Sequence, residues 1–286
     1  MTRLTDILQL LKIKHYIKNL VIFIPVIFTK NLNDWHTLFV MLFMFAVFCL
    51  MSSIIYIFND LQDVEKDKMH PIKCYRPIAS GRIAAGTAKK ILVALLLSIC
   101  CLSFFINTPC NLCIWGYFVL NICYSLILKN FRFIDIFCIA FGFVLRILTG
   151  FYVLMLPISF ALCLMIFVTS IFFTSSKRLL ELKLTSNTKN YHSSAQYTNI
   201  FVLNNVIYCS AVLSVIAYCF AVFEYTRYIH YLYISILCFV LFIGRLLYLA
   251  NKPQNHDDPM NFMEKDKILK IISVGSLFVL AILYWF

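Results

Sequence analysis

The most distinctive chemistry of the sequence is concentrated in residues 58–82, FNDLQDVEKDKMHPIKCYRPIASGR. Three carboxylates of this stretch, Asp60, Asp63 and Asp67, recur at positions i, i+3 and i+7. Because an α-helical residue turns about 100°, a helix would place all three within about 60° of one another. Clustered carboxylates repel one another unless a cation lies between them, and oxygen ligands of this kind suit Mg²⁺. The spacing therefore predicts a Mg²⁺ site, with Mn²⁺ as the alternative metal.

A basic segment follows these acids directly. Lys73, Arg76 and Arg82 are cations that can hold phosphate oxygens, so the whole stretch predicts binding of a phosphorylated substrate. A solvated loop is the simpler interpretation, but such a loop has no reason to place acids at helical spacing ahead of a separate basic block. His70 is a candidate general base, but it precedes Pro71 in an extended step, which favours a role in shaping the loop.

The composition predicts that a membrane-embedded fold positions these residues. Of the 286 residues, 62% are hydrophobic and only 13% are charged, and the mean hydropathy is +0.86, whereas soluble proteins carry about 25% charged residues. Long apolar runs predict an all-α integral membrane protein, a bundle of about nine transmembrane helices in a single domain over residues 1–286. The runs lie at about 15–30, 37–58, 90–107, 111–128, 133–156, 158–176, 199–223, 229–250 and 268–286.

The distribution of Lys and Arg predicts the orientation of these spans. Most of the 25 basic residues fall on the side of the N-terminus, so we interpret the net charge of +12 as a record of topology and not of nucleic-acid binding. The N-terminus and the acid-bearing loops are then cytoplasmic and the C-terminus lies outside the plasma (inner) membrane. Residues 3–14 predict an amphipathic surface helix, with Leu10 toward lipid and Lys12 and Lys14 toward headgroups.

Two polar residues within one apolar run form a second candidate site. Asp135 and Arg146 are eleven residues apart, which is about 16 Å along a helix and returns to nearly the same face. An arginine near the middle of a membrane costs about 2.5–3.5 kcal/mol unless it is paired or faces water. Either these residues and Gly142 line a polar cavity, or Arg146 makes a structural contact with an Asp or a carbonyl between helices.

Four further basic residues lie at predicted helix ends on the cytoplasmic side, and each is a candidate ligand for a phosphate group. Lys177 could instead form an exposed i, i+4 pair with Glu181, which would contribute little to stability. The four are Lys18, Lys129, Lys177 and Arg178.

The sequence resembles the UbiA superfamily of membrane prenyltransferases, and within it the decaprenyl-phosphate phosphoribosyltransferases. NDLQDVEKD at 59–67 has the superfamily pattern N-D-x-x-D-x-x-x-D, while the continuation DKMHPIKCYRPIASG is specific to the phosphoribosyltransferase branch. Further likeness runs in order along nearly the whole chain. It includes KNLVIFIPVIF at 18–28, YSLILKN at 124–130, SKRLLEL at 176–182 and RLLYL from 245.

The resemblance implies a nine-helix fold and an enzyme that transfers 5-phosphoribose from phosphoribosyl pyrophosphate to a polyprenyl monophosphate, for cell-envelope glycan synthesis. In that case Asp60, Asp63 and Asp67 would hold Mg²⁺, Asn59 would orient the metal shell, and a lipid tail would enter from the membrane. The basic candidates would bind the donor and acceptor phosphates together with Asp135 and Arg146. A homo-oligomer is compatible with the sequence.

Two alternatives stay open. One is polyprenyl transfer to an aromatic acceptor such as 4-hydroxybenzoate; the other is a transporter that uses Asp135 and Arg146 as a polar path. Aromatic prenyltransferases usually carry a second Asp-rich motif after span six, whereas SSKRLLELKLTSNTKNYHSS at 175–194 has one acid, Glu181, and no Asp. This difference favours the phosphoribosyltransferase.

Overall fold

The computed structural model describes residues 4–29, 35–70, 73–131, 133–185, 200–225, 229–251 and 266–285. Within these ranges the chain forms helices and no strand, which confirms the predicted all-α class. The α-helices are α1 Leu4–Leu11, α2 Ile24–Thr29, α3 Trp35–Gln62, α4 Val64–Lys68, α5 Ala85–Ser103, α6 Thr108–Leu126, α7 Ile134–Val153, α8 Phe160–Thr185, α9 Ile200–Tyr225, α10 Ile229–Asn251 and α11 Lys267–Trp285. Three 3₁₀ helices, Ile13–Phe23, Lys73–Tyr75 and Leu128–Asn130, connect them.

Seven helices within the described ranges are long and apolar enough to cross a membrane, so the chain is an integral membrane protein. The first predicted span differs from a single α-helix. It is a 3₁₀ helix, Ile13–Phe23, that gives way to α2 just before Pro25. Proline lacks an N–H and its ring clashes with the carbonyl four residues earlier, so it disfavours a continuous helix here and is best tolerated in the first turn of α2. The count of nine spans stays a prediction.

The described residues form two compact units. The first takes its residues from Met1–Ile24, Asp34–Ile127 and Leu145–Leu156, and the second from Pro25–Asn33, Leu128–Val144 and Pro157–Phe286. Helix α7 contributes its beginning to the second unit and its end to the first. The expectation of a single domain over residues 1–286 stays a prediction.

A small apolar core in the first unit fixes the N-terminal helix. Leu10 of α1 is fully buried against Ile57 of α3, Ile78, Ile83 and Ala88 of α5. The expectation that Leu10 faces lipid is therefore wrong, because the apolar side of α1 packs on protein. This packing places the end of α1 beside the acidic end of α3.

The second unit has its own core, which is built mainly from the facing sides of α8, α9 and α10. Phe172, Leu179, Leu203 and Ile243 are among its fully or almost fully buried members. At the start of α11, Asp266 accepts a hydrogen bond from the Leu269 N–H, as a helix-capping residue does, and pairs with Arg245 at 2.7 Å. The preceding segment, 252–265, lies outside the described residues.

We expect Leu10→Ala to destabilise the first unit, since it would leave a cavity among Ile57, Ile78 and Ile83. Core truncations of this kind cost about 2–5 kcal/mol. Leu8→Ala is the matched control, because Leu8 is on the same helix and 42% exposed. Thermal unfolding of the purified protein in detergent should show a large drop for Leu10→Ala and a small one for Leu8→Ala. Equal drops would contradict the packing described here.

Candidate active site

The acidic stretch is carried by two helices joined by a bend. Helix α3 ends at Gln62, Asp63 adopts φ −99° and ψ 13°, and α4 begins at Val64. The three acids therefore do not lie on one continuous helix, although the backbone hydrogen bond from the Asp63 N–H to the Asn59 carbonyl, 3.0 Å, continues through the bend. As a result Asp60 and Asp67 still point to a common partner.

That partner is Arg76, which the sequence predicted as a phosphate ligand. One guanidinium nitrogen, Nη1, lies 2.6 Å from Asp67 Oδ2 and 3.1 Å from Asp60 Oδ1. Both carboxylates are nearly inaccessible, at 2% and 3% exposure. Buried carboxylates need a cation, and Arg76 supplies one to both.

A second cation reaches the same pocket from the N-terminal segment. Lys12 Nζ lies 2.7 Å from Asp60 Oδ1 and 5.0 Å from the centre of the Tyr56 ring. Burial lowers the pKa of the Lys12 ammonium below its ordinary value, whereas the Asp60 carboxylate opposes that shift. The expectation that Lys12 faces lipid headgroups is therefore wrong. No local spacing could have revealed the pair, because its members are 48 residues apart.

Two buried oxygens at the end of α3 have no hydrogen-bond partner among the described residues, Asp60 Oδ2 and Asn59 Oδ1. No group of three or more His, Cys, Asp or Glu side chains within those residues is close enough to share a metal ion. Mg²⁺, however, usually keeps several waters and binds through one or two carboxylates together with substrate phosphates. Asp60 and Asp67, with the amide oxygen of Asn59, fit that requirement.

The loop that carries Arg76 is held by its own backbone and by Arg82. The His70 ring accepts a hydrogen bond at Nδ1 from the Lys73 N–H, 3.3 Å, which agrees with a role in shaping the loop. Gly81 adopts φ +75°, a conformation that glycine tolerates best. Arg82, instead of remaining available for phosphate, contacts Asp6 and donates to the Tyr75 carbonyl at 2.6 Å. It thereby ties the loop to α1.

Arg146 lies in a buried polar network of the first unit. Its Nε donates to Asn19 Oδ1 and its Nη2 to the Tyr117 hydroxyl, each at 2.7 Å. The guanidinium carbon is also 4.3 Å from the centre of the Tyr117 ring. Asn19 follows Lys18 directly, and Arg146 holds the Asn19 side chain. These contacts are of the structural kind, and substrate-binding roles for Lys18 and Arg146 stay predictions.

In the second unit, Arg178 of α8 donates from Nε to Asp135 Oδ2 of α7 at 2.8 Å. Asp135 is 3% exposed, and this ion pair fixes the start of α7 to α8. Although Asp135 and Arg146 belong to one helix, as predicted, their partners belong to different units. Lys177 is exposed, Lys129 and Lys73 are half-buried, and Asp63 is half-buried at the bend. The side chain of Glu181 and residues 186–199 lie outside the described residues.

The comparisons decide the family. The model of the UbiA prenyltransferase family matches residues 20–265. The chain belongs to this family. The solved structure of a UbiA homolog from Archaeoglobus fulgidus bound to GPP and Mg²⁺ matches it with a TM-score of 0.72 over 98% of each chain. At 16% identity, that match shows the UbiA fold alone.

Two curated relatives are similar to parts of this chain. The chain is 32% identical to decaprenyl-phosphate phosphoribosyltransferase of Mycolicibacterium smegmatis, over 61% of this chain and 55% of that protein. It is 29% identical to the uncharacterized protein y4nM of Sinorhizobium fredii, over 96% of this chain and 56% of that protein. The chain thus spans about half the length of the curated relatives it matches.

We expect Arg146→Met to destabilise the UbiA fold of this chain, because it would remove two buried hydrogen bonds of a charged donor. Each such bond contributes about 1.5–3 kcal/mol. Tyr117→Phe should cause roughly half of the loss in thermal stability, since it removes one bond and keeps the ring. Tyr75→Phe, at a residue that is 74% exposed, is the control and should change nothing. An unchanged melting temperature for Arg146→Met, together with lost activity, would instead assign Arg146 to substrate binding.

Proposed function

We propose that this UbiA-family transferase moves a 5-phosphoribosyl group from phosphoribosyl pyrophosphate to a polyprenyl monophosphate and releases pyrophosphate. The observation that carries the proposal is the pocket in which Asp60 and Asp67 share Arg76 and Lys12. Acids that can hold a divalent cation and basic groups that can hold phosphate meet there at bonding distance. The relative of Mycolicibacterium smegmatis supports the choice of the group that is transferred.

The reaction breaks the bond between C1 of the ribose and a pyrophosphate oxygen, and the electron pair leaves with pyrophosphate. A bond then forms between C1 and an oxygen of the lipid phosphate. Mg²⁺, when bound, would neutralise the charge that develops on the leaving group. Asp60 and Asp67 would hold it, with Asn59 oriented by its place on the last turn of α3. Asp63, at the bend, would complete the shell predicted from the sequence.

The remaining chemistry asks little of the protein beyond placing charges. Arg76 is already beside the acids and can turn its guanidinium toward the pyrophosphate oxygens. The attacking lipid phosphate is an anion at neutral pH, so the mechanism needs no strong general base. Lys73, Lys129, Lys177 and Arg178 are each proposed as phosphate ligands. Cytoplasmic placement of the acid loop would give it access to a soluble donor.

The direct test uses the purified 286-residue chain with Mg²⁺, radiolabelled phosphoribosyl pyrophosphate and a polyprenyl phosphate. We expect the label to move into the lipid phase, as followed by thin-layer chromatography. A parallel reaction offers prenyl diphosphate and 4-hydroxybenzoate. Prenylated acceptor without labelled lipid would replace the proposal by aromatic prenyl transfer. Neither product, with solute uptake into proteoliposomes, would indicate a transporter.

Within that assay, Asp60→Asn and Asp67→Asn should each lower the rate by about 10²–10³-fold, as expected when one electrostatic group of an active site is removed. Glu65→Gln is the matched control. Glu65 belongs to the same segment but is exposed, and it pairs only weakly with Lys68 at the surface. Gel filtration and thermal unfolding would verify that the variants stay folded. Full activity in Asp60→Asn would contradict the assignment of the acids.

Removal of divalent cations provides an independent check on the metal. Treatment with EDTA should abolish lipid labelling, and added Mg²⁺ or Mn²⁺ should restore it. Restoration should require more metal in Asp67→Asn than in Glu65→Gln, because only the former loses a proposed ligand. Activity that persists in EDTA would rule out a dissociable metal ion in the reaction.

A further inference from the structure

Lys12 has a backbone conformation that few lysines adopt. It lies between α1 and the 3₁₀ helix Ile13–Phe23, with φ 52° and ψ 46°. This left-handed region is unfavourable for a residue with a Cβ and persists only where surrounding contacts impose it. The Lys12 N–H donates to the Gln9 carbonyl at 3.2 Å, and the Lys12 carbonyl accepts from the His15 N–H at 2.9 Å. The chain therefore turns sharply at this residue.

The turn delivers the Lys12 ammonium to a buried acid. Its Nζ and Arg76 Nη1 both bind the same oxygen, Asp60 Oδ1, at 2.7 and 3.1 Å. The Lys12 side chain is only 17% exposed, and that of Asp60 is 1% exposed. The other oxygen, Asp60 Oδ2, is the buried one that has no hydrogen-bond partner among the described residues. Two cations thus compete with any metal ion for a single carboxylate.

A metal ion that binds the remaining oxygen, Asp60 Oδ2, places its positive charge beside the ammonium and the guanidinium that hold Oδ1. Lys12 and Arg76 would then repel the metal ion within a partly buried pocket, which is unfavourable. A divalent cation alone should therefore bind weakly. A pyrophosphate group that enters with the metal supplies new oxygen partners for both cations and removes this cost.

We propose that Lys12 is a further phosphate-binding residue of the site. Its ammonium binds Asp60 until a metal ion and pyrophosphate arrive together. The ammonium then moves to bind a pyrophosphate oxygen. The inference rests on the metal–pyrophosphate site proposed above, and it adds that metal and pyrophosphate bind this chain cooperatively. Lys12 becomes the link between the N-terminal segment and substrate binding.

The test compares the unsubstituted 286-residue chain with Lys12→Met, and with Lys14→Met as a matched control at an exposed lysine two residues away. Binding of Mn²⁺ alone is measured by loss of the free-ion electron paramagnetic resonance signal. Binding of radiolabelled inorganic pyrophosphate is measured at saturating Mn²⁺. Lys12→Met should bind Mn²⁺ alone more tightly and pyrophosphate more weakly, each by a factor within the usual coupling range of about 5–150-fold. Lys14→Met should match the wild type in both.

The opposite signs of the two changes distinguish this role from a structural one. Weakening of both ligands in Lys12→Met, or unchanged pyrophosphate binding, would overturn the proposal. Lys12→Asn repeats the comparison with a residue that tolerates the left-handed region well, so that backbone strain cannot account for the result. It should behave as Lys12→Met does, while Lys12→Arg should retain pyrophosphate binding.

The outcome is separable from the proposed function. Pyrophosphate is common to phosphoribosyl and prenyl donors, so the binding comparison keeps its meaning if no phosphoribosyl lipid is formed. Conversely, formation of that lipid by a protein in which Lys12→Met has no effect on either ligand would overturn only the role of Lys12.

Discussion

The burial of Asp60 and Asp67 is the constraint on which the surrounding structure depends. Two carboxylates that are nearly inaccessible to water cannot share a pocket unless cations neutralise them. Arg76 satisfies both with a single nitrogen, and it does so only because the loop returns over α4. The turn at Gly81 and the contacts of Arg82 with Asp6 hold that return in place. The loop conformation is therefore a consequence of the acids it covers.

The same constraint explains why the N-terminal segment is not a simple surface anchor. The segment runs antiparallel to α3, so that increasing residue numbers on one meet decreasing numbers on the other. Polar side chains pair along this line, and Arg146 closes the far end through Asn19. Lys12 at the near end thus belongs to a series of contacts that includes a buried arginine. The pairs are Lys12 with Asp60, Tyr16 with Ser53, and Asn19 with Ser52.

Contacts between residues that are close in the sequence could be predicted from it, whereas contacts between residues far apart in the sequence could not. The acids and Arg76 lie within 17 residues of one another, so local spacing and charge sufficed to bring them together. The apolar runs likewise predicted an all-α membrane fold, since a hydrophobic segment of about 20 residues can satisfy its backbone hydrogen bonds within the bilayer as an α-helix. The prediction that Lys12 faces lipid headgroups is wrong because a lysine beside an amphipathic helix can bind either headgroups or a buried acid. Its neighbours in the sequence do not identify the partner, Asp60. Arg178 was expected to bind phosphate, and its pairing with Asp135 involves a residue 43 positions away.

The charge balance of the pocket formed by Asp60, Asp67, Arg76 and Lys12 indicates which part of a donor molecule such a pocket would recognise. Asp60 and Asp67 carry two negative charges, and Lys12 and Arg76 carry two positive ones, so the contacting groups are already neutral. Addition of a divalent cation makes the pocket strongly positive, and only a multiply charged anion such as pyrophosphate restores neutrality. Phosphoribosyl and prenyl donors both carry that group, so under the proposed function this pocket would recognise the leaving group and not the group transferred. Selection of the transferred group would then depend on residues outside this pocket. At the basic end of α8, with Lys177 and Arg178, the sequence differs from prenyltransferases that carry a second acidic motif.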